Sequence, residues 1–468
     1  MRYTVKWSAV IMLLFASWVR ALAVEASCIG SSPNWTAANA TRPEVLACIT
    51  AASPGDTINV PSGSATWSSP IDITKGVKLI GAGIGNTVIT RGGSYIISYV
   101  PADYSANAAF RLSGFSFNGA GGDIFKLGRE LYPDKQPHQT NIRIDQNRFY
   151  SASAASMNAI AIEYFGQMFG VVDNNIFESY PYPMRNQNPA GYTVLWDPAI
   201  AGEKGYTLFL PGSQYNLYFE DNTFNMPSTA ENAITNSQYS GRYAYRYNTI
   251  NLHGGQGWWL FDVHGKQDDE MHSPFGAEVY GNRLENNGNR DYGLIQVRGG
   301  QVLIHHNSAT EPLAIEASAT VVQCPPEPYR SLEMVHNTYA FDNRVNYTGA
   351  LTNMGRNDTL SCGGRTRPTK GIDFFDQASS PGIGTGPLTS RPTTCSVGQA
   401  YWATNQSTND LTGMVGKNPT TPISGTLYKC TSQNTWTAFY TPYAYPHPLR
   451  GGGSLNLVPA PPTNLTIR

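Results

Sequence analysis

One pattern of apolar and polar positions returns along the middle of the chain: apolar, any, apolar, any, any, Asn, any, apolar. It reads IRIDQNRF at 142–149, LYFEDNTF at 217–224, YAYRYNTI at 243–250 and LEMVHNTY at 332–339, with looser copies GVVDNNIF (170–177), AEVYGNRL (277–284) and VLIHHNSA (302–309). The alternating half is the signature of a strand with one buried face. The asparagine follows where the chain must turn, and asparagine tolerates left-handed backbone there and bonds to the turn's own amides.

The aligned residues Asn147, Asn175, Asn222, Asn248, Asn282, Asn307 and Asn337 are separated by 28, 47, 26, 34, 25 and 30 positions. That spacing is one compact coil per repeat, with insertions in the longer intervals. Earlier, FRLSGFSF (110–117) places Phe115 in the asparagine column, and VKLIGAG (77–83) reads as a first coil. Amides stacked at equivalent positions of parallel coils form a ladder between neighbours. The predicted fold is all-β, a single-stranded right-handed parallel β-helix. A β-propeller, which needs about four strands in each repeat of roughly 40–50 residues, is the second choice.

Composition agrees: 46 Gly, 31 Pro and 27 Tyr favour strands and turns over helices, and charged residues are only 14% of the chain. A formal net charge of -1 supplies no basic field for nucleic acid. Arg2 and Lys6, the apolar stretch Trp7–Val19 and Ala21-Leu22-Ala23 predict a signal peptide over 1–23. No later segment is apolar and long enough to predict a membrane span. The expected destination is secreted, extracellular or cell-surface, with the periplasm as a further compartment.

Six cysteines fit an oxidising compartment, and neighbour pairing is the preferred arrangement: Cys28 with Cys48, Cys324 with Cys362, Cys395 with Cys430. The β-helix is expected over 24–394. A small disulfide-stapled appendage follows over 395–450, packing on the last coils through Trp402, Trp436 and Tyr440, and then a Gly/Pro-rich tail over 451–468.

The segment ASPGDTINVPSGSATW (52–67), followed by VKLIGAG, resembles the opening coils of the pectate-lyase-like β-helix superfamily, and the later N-x-F/I turns are similar to its repeating coils. The resemblance covers about 50–340. It implies a scaffold that hosts polysaccharide lyases, glycoside hydrolases, esterases, phage tailspikes and non-catalytic surface proteins, so the site must decide among them. It also implies, for a lyase, an Arg or Lys base and calcium held by carboxylates.

Chemistry is expected on the strand preceding each asparagine-bearing strand. Taking Phe125 and Leu127, Ile160 and Ile162, Leu208 and Leu210, Phe261 and Val263, Ile295 and Val297, and Leu313 and Ile315 as inward leaves Lys126, Glu163, Phe209, Asp262 with His264, Gln296 with Arg298, and Glu316 facing out. An acid, a histidine and an arginine on one face suit an acidic polysaccharide: Arg298 holds a uronate carboxylate while His264 or a deprotonated neighbour removes the α-proton. Asp262, His264 and Arg298 are the candidate catalytic residues. Trp258, Tyr280, Tyr292, Gln296, Glu316 and Lys266 are the candidate substrate contacts, the aromatics by stacking on sugar faces. KQDDE (266–270) completes no calcium-loop motif and reads as a solvated loop.

A second column, two residues before each asparagine, holds Asp145, Asp173 and Glu220, then Arg246, Tyr280 and His305. Three acids in successive coils repel unless a cation or Arg246 offsets them, which makes Asp145, Asp173 and Glu220 a candidate calcium site. The adjacent His305 and His306 point to opposite faces of a strand and make a poor metal pair.

The leading functional expectation is a lyase that cleaves a uronate-containing extracellular polysaccharide by β-elimination. The alternatives are a glycoside hydrolase of polygalacturonase type, using Asp262 with Glu278 or Glu316, or a non-catalytic glycan-binding adhesin. VHG (263–265) and QVRGG (296–300) are similar to polygalacturonase His-Gly and Arg motifs, but the paired Asp-Asp and the lysine after the arginine are missing.

Overall fold

Residues 168–187 show how one coil is made. The strand Met168–Asp173 ends in Asn174, which takes a left-handed φ of 54° and turns the chain; Asn175 follows, then the strand Ile176–Glu178, and after a second bend the strand Tyr182–Gln187. Equivalent strands of successive coils pair in parallel, giving two sheets of ten strands and one of thirteen, whose edge strand Cys28–Ser31 alone pairs antiparallel, among the described residues. The architecture is a parallel β-helix. This computed structural model describes residues 27–451 apart from 129–138, 153–158, 166–167, 188–209, 227–232, 239–240, 253–258, 268–271, 287–292, 313, 328 and 405–421. The expected leader over 1–23 and nearly all of the expected tail lie outside the described residues.

The asparagine column is a continuous ladder. Asn175 donates from its backbone N–H (2.9 Å) and its Nδ2 (3.0 Å) to Oδ1 of Asn222, and Asn222 does the same to Asn248 at 3.0 Å in both bonds. The second Nδ2 hydrogen of each amide goes back to the preceding coil, from Asn175 to the Ile144 carbonyl and from Asn222 to that of Val172. The ladder runs from Asn147 through Asn282 and Asn307, and the backbone N–H of Phe115 bonds to Asn147 Oδ1, so Phe115 does stand at the head of the column.

Two expectations about the column change. The last rung is Asn343, bonded by Asn307 Nδ2 at 2.8 Å, rather than Asn337. The apolar run that mimics a strand there includes a short helix, Arg330–Glu333, and the true strand Thr338–Phe341 begins later. The asparagines are also not the left-handed residues. The residues before them are: Gln146, Asn174, Asp221, Tyr247 and His306 all have φ of 54–58°. The asparagine is required for its amide, not for its backbone.

Two residues after each asparagine, an inward side chain lines up with its neighbours, and Phe117, Phe149, Phe177 and Phe224 stack at 4.8–5.6 Å between ring centres. This explains the apolar position that closes the motif. The helix Arg42–Ala51 buries Val45, Cys48 and Ile49 against the core beside the first coils, and Cys28–Cys48 ties it down. The other pairs are Cys324–Cys362 and Cys395–Cys430.

Near the C-terminus, the strands Ile383–Gly386, Ala400–Ala403, Thr426–Ser432 and Thr435–Tyr440 form a separate sheet carrying the third disulfide. Trp402 and Tyr440 bury themselves against Tyr280, Leu303 and Phe341 on the outer side of the thirteen-stranded sheet. Trp436 takes no part in that packing; its Nε1 bonds to the Pro392 carbonyl and Arg391 stacks above its ring. Beyond Tyr440 the chain crosses the same sheet as a strap, fastened by Arg450 to Glu220 and Asp221 and by Arg246 to the carbonyls of Tyr443 and Ala444.

Removing one rung tests the ladder. Asn222→Ala strands two donors of Asn175 and the Val172 carbonyl in a buried site, at about 1–3 kcal/mol for each unsatisfied group. A markedly lower urea midpoint is expected, whereas Asn251→Ala, outside the ladder, should cost well under half as much.

Candidate functional site

The strands that carry the expected chemistry lie side by side in one ten-stranded sheet. Its order follows the chain: Ile71–Ile73, Ile97–Tyr99, Phe125–Leu127, Ile160–Phe165, Tyr182–Gln187, Thr235–Ser237, Trp259–Val263, Gly293–Val297, Ala314–Ser318 and Met354–Asn357. The outward register reads Asp72, Ser98, Lys126, Glu163, then Asn236, Asp262, Gln296 and Glu316, with position 185 paired between Glu163 and Asn236. Two coils in this column escape the sequence pattern. The strand before the Asn222 coil is Tyr182–Gln187, interrupted by Pro183, rather than the Leu208–Leu210 stretch. Thr235–Ser237 turns polar Thr235 and Ser237 inward, where Ser237 Oγ meets Tyr243 Oη at 3.0 Å. Leu208, Phe209 and Leu313 lie outside the described residues.

Asp262, His264 and Arg298 converge. Arg298 places Nη2 2.8 Å from both oxygens of Asp262, with Nε 3.2 Å from Oδ1. The same Nη2 lies 3.0 Å from His264 Nδ1, while His264 Nε2 lies 3.0 Å from Asp262 Oδ2. Arginine only donates, so Nδ1 is the accepting nitrogen and the imidazole proton resides on Nε2, which is close to Asp262 but not aligned for a hydrogen bond to it. Burial opposes ionisation of Asp262, but His264 and Arg298 outweigh it and hold the carboxyl down to about 2. The guanidinium uses its Nε/Nη2 edge for the aspartate; Nη1 has no hydrogen bond among the described residues.

The cluster is recessed: each of its side chains is 10% exposed or less. One wall is the segment that follows Ser318, where the Gln323 N–H bonds to the Lys266 carbonyl at 2.7 Å and Val322 abuts Gly265. Cys324–Cys362 anchors this wall.

No family profile matches the chain, and no curated protein matches it. Among solved structures it is similar to the Azotobacter vinelandii mannuronan C-5 epimerase AlgE6 A-module, with a TM-score of 0.35 and 15% identity over 68% of this chain and 90% of that one. It is also similar to ORF18 of Geobacillus virus E2, with a TM-score of 0.28 and 11% identity over 89% of this chain and 75% of that one. Likenesses of this size bear on neither substrate nor reaction, which rest on the site itself.

Among the candidate substrate contacts, Gln296 and Glu316 occupy the coils after Asp262 in its own column. Lys266 is buried just beyond His264. Trp258 and Tyr292 lie outside the described residues. Tyr280 is displaced from the site: it belongs to the thirteen-stranded sheet, fully buried under the appendage, stacked on His305 and bonded to Arg246 Nη1 at 3.0 Å. Two residues before the asparagine is an outward position, but the appendage covers it there.

Asp145, Asp173 and Glu220 do stand on successive coils of that sheet, yet each is taken by arginine. Arg111 forks onto Asp145, Arg143 onto Asp173, and Arg246 and Arg450 onto Glu220. Burial opposes the charge of Glu220, but Arg246, His447 and Arg450 hold its pKa below the usual value; at Asp173 burial prevails and raises it. A calcium ion needs open carboxylate oxygens, and this donor set does not fit one. Among the described residues no three His, Cys, Asp or Glu side chains converge as metal ligands.

Glu278, the other acid weighed for hydrolysis, also lies under the appendage, accepting from Gly212 N–H and Asn216 Nδ2, and burial raises it to about 7. An unfolded glutamate ionises near 4.5, so this carboxyl stabilises the native state at lower pH and loses that contribution as pH rises through about 7. Glu278→Gln is expected to abolish this decline in the denaturation midpoint. Asp262 has the opposite sign. Its lowered pKa contributes stability above about 4 that is lost as pH falls towards 2. Asp262→Asn should flatten the acid side of the same curve.

Proposed function

We propose that the protein is a secreted polysaccharide lyase that cleaves a uronate-containing glycan by β-elimination at Asp262, His264 and Arg298. The observation that carries the reading is the shared donor: the Nη2 that the imidazole accepts from belongs to an arginine whose Nη1 has no hydrogen bond among the described residues. A uronate carboxylate binding the Nη1/Nη2 edge bidentately competes for the hydrogen that now masks Nδ1. Substrate binding thus frees the base, while the Asp262 carboxylate, 3.0 Å from Nε2, stabilises the imidazolium. His264 then takes the α-proton, the electron pair forms the new C=C bond, and the β-oxygen departs with a proton from water. Arg298 stabilises the charge that moves onto the carboxylate. The three disulfides support secretion, and no helix among the described residues is long and apolar enough to cross a membrane.

A hydrolytic reading is favoured by one observation. Asp262 is held ionised, whereas burial raises Glu316, partly offset by Asn357 and reinforced by Asp358. They stand two strand steps apart, about 10 Å at roughly 4.8 Å per step, close to the roughly 6.5–9.5 Å of an inverting pair.

Incubation with pectate, alginate, gellan and rhamnogalacturonan separates the readings. Elimination yields new ends that absorb in the ultraviolet; hydrolysis yields reducing ends without that absorbance. Arg298→Lys keeps the charge but loses the fork, and is expected to lower kcat/KM at least 100-fold, about 3 kcal/mol. Absence of both kinds of end on every polymer overturns both enzymatic readings and leaves the adhesin.

A further inference from the structure

The column that ends at the candidate site begins at a second cleft. A hollow of about 320 Å³ opens at the N-terminal end of the same sheet, lined by Asp72, Tyr95, Ser98, Lys126, Gly128 and Phe165 among others. It is a built site. Asp72 Oδ1 accepts from Tyr95 Oη at 2.8 Å and from Ser98 Oγ at 2.6 Å, which aligns the phenol ring, and Lys126 sits 5.3 Å from that ring's centre. Lys126 is also 3.2 Å from Glu163. Lys126 and Asp262 are four strand steps apart, about 19 Å at roughly 4.8 Å per step. A pyranose advances an extended glycan by about one such step, so a chain laid along the column passes both places.

The charges on this path choose the kind of glycan. Among the described side chains of this path, the cations Lys126, Lys266 and Arg298 are outnumbered by the carboxylates Asp72, Glu163, Asp262 and Glu316. A polymer with a carboxylate on every sugar meets no cationic excess and faces Asp72 and Glu163 on adjacent ground. The cleft itself offers what a neutral sugar uses: an aromatic ring and a carboxylate to accept hydroxyl protons.

We infer that the cleft of Asp72, Tyr95, Ser98, Lys126 and Phe165 binds a neutral, hydroxyl-rich sugar of the same glycan whose uronate lies at Arg298, so that the substrate interleaves uronates with neutral sugars. The inference rests on the proposed reaction for its assay, but not for its binding test. Gellan and rhamnogalacturonan should be cleaved with kcat/KM at least tenfold above polygalacturonate and alginate, with or without calcium. Tyr95→Ala and Asp72→Asn, both at accessible positions, should raise KM for the mixed polymers about tenfold and leave kcat within a factor of two. Preference for the homopolymers, or an unchanged KM in both variants, overturns the inference.

Should no polymer be cleaved, electrophoresis through gels cast with gellan decides the cleft separately. Retardation lost in Tyr95→Ala but kept in Arg298→Ala upholds it, and equal retardation of all three proteins overturns it.

Discussion

The stacked asparagine amide is the interaction on which this molecule depends. Each amide has two hydrogens and an oxygen able to accept twice, and within the ladder these are spent on the coil before and the coil after. Because the amides are buried, a slip of one coil against the next leaves donors without water or partner, which costs more than any one bond contributes. The ladder therefore sets the register of neighbouring coils, and register decides which side chains meet across sequence intervals of 25 residues or more. The left-handed residue before each asparagine turns the chain, and the apolar side chain two places after it, aromatic at Phe149, Phe177 and Phe224, faces the core.

Register converts the sheet of the candidate site into a linear surface. Insertions of very different length join its strands, yet Asn236, Asp262, Gln296 and Glu316 remain neighbours because parallel pairing preserves their order. Arg298 reaches back across this surface to Asp262, so one guanidinium links the acid and the imidazole. The imidazole and the carboxylate share Nη2 of that guanidinium, and its Nη1 has no hydrogen bond among the described residues. That is the basis for reading it as a site that a carboxylate opens.

The opposite sheet shows how the same column geometry serves stability. Asp145, Asp173 and Glu220 stack as their spacing requires, and their repulsion is met by Arg111, Arg143, Arg246 and Arg450. Arg450 comes from the C-terminal strap, hundreds of residues away in sequence. Acid columns in a solenoid thus cannot be assigned to a metal from their spacing, since a cation from any distant segment can satisfy them.

The sequence by itself determined the coil. Alternation, asparagine spacing and the apolar position after it describe local geometry and nearest-coil contacts, and these depend on residues a few places apart. It also placed Asp262, His264 and Arg298 on one face, because strand alternation carries phase reliably wherever the inward residues are apolar. It failed where that condition failed: at Tyr182–Gln187, broken by proline; at Thr235–Ser237, polar inside; and at Asn337, where a helix imitated a strand. Only the tertiary structure decided what covers each outward position. Tyr280 and Glu278 have the pattern of exposed residues and are buried, because the appendage and strap return to that sheet from the far end of the chain. No periodicity records such long-range packing.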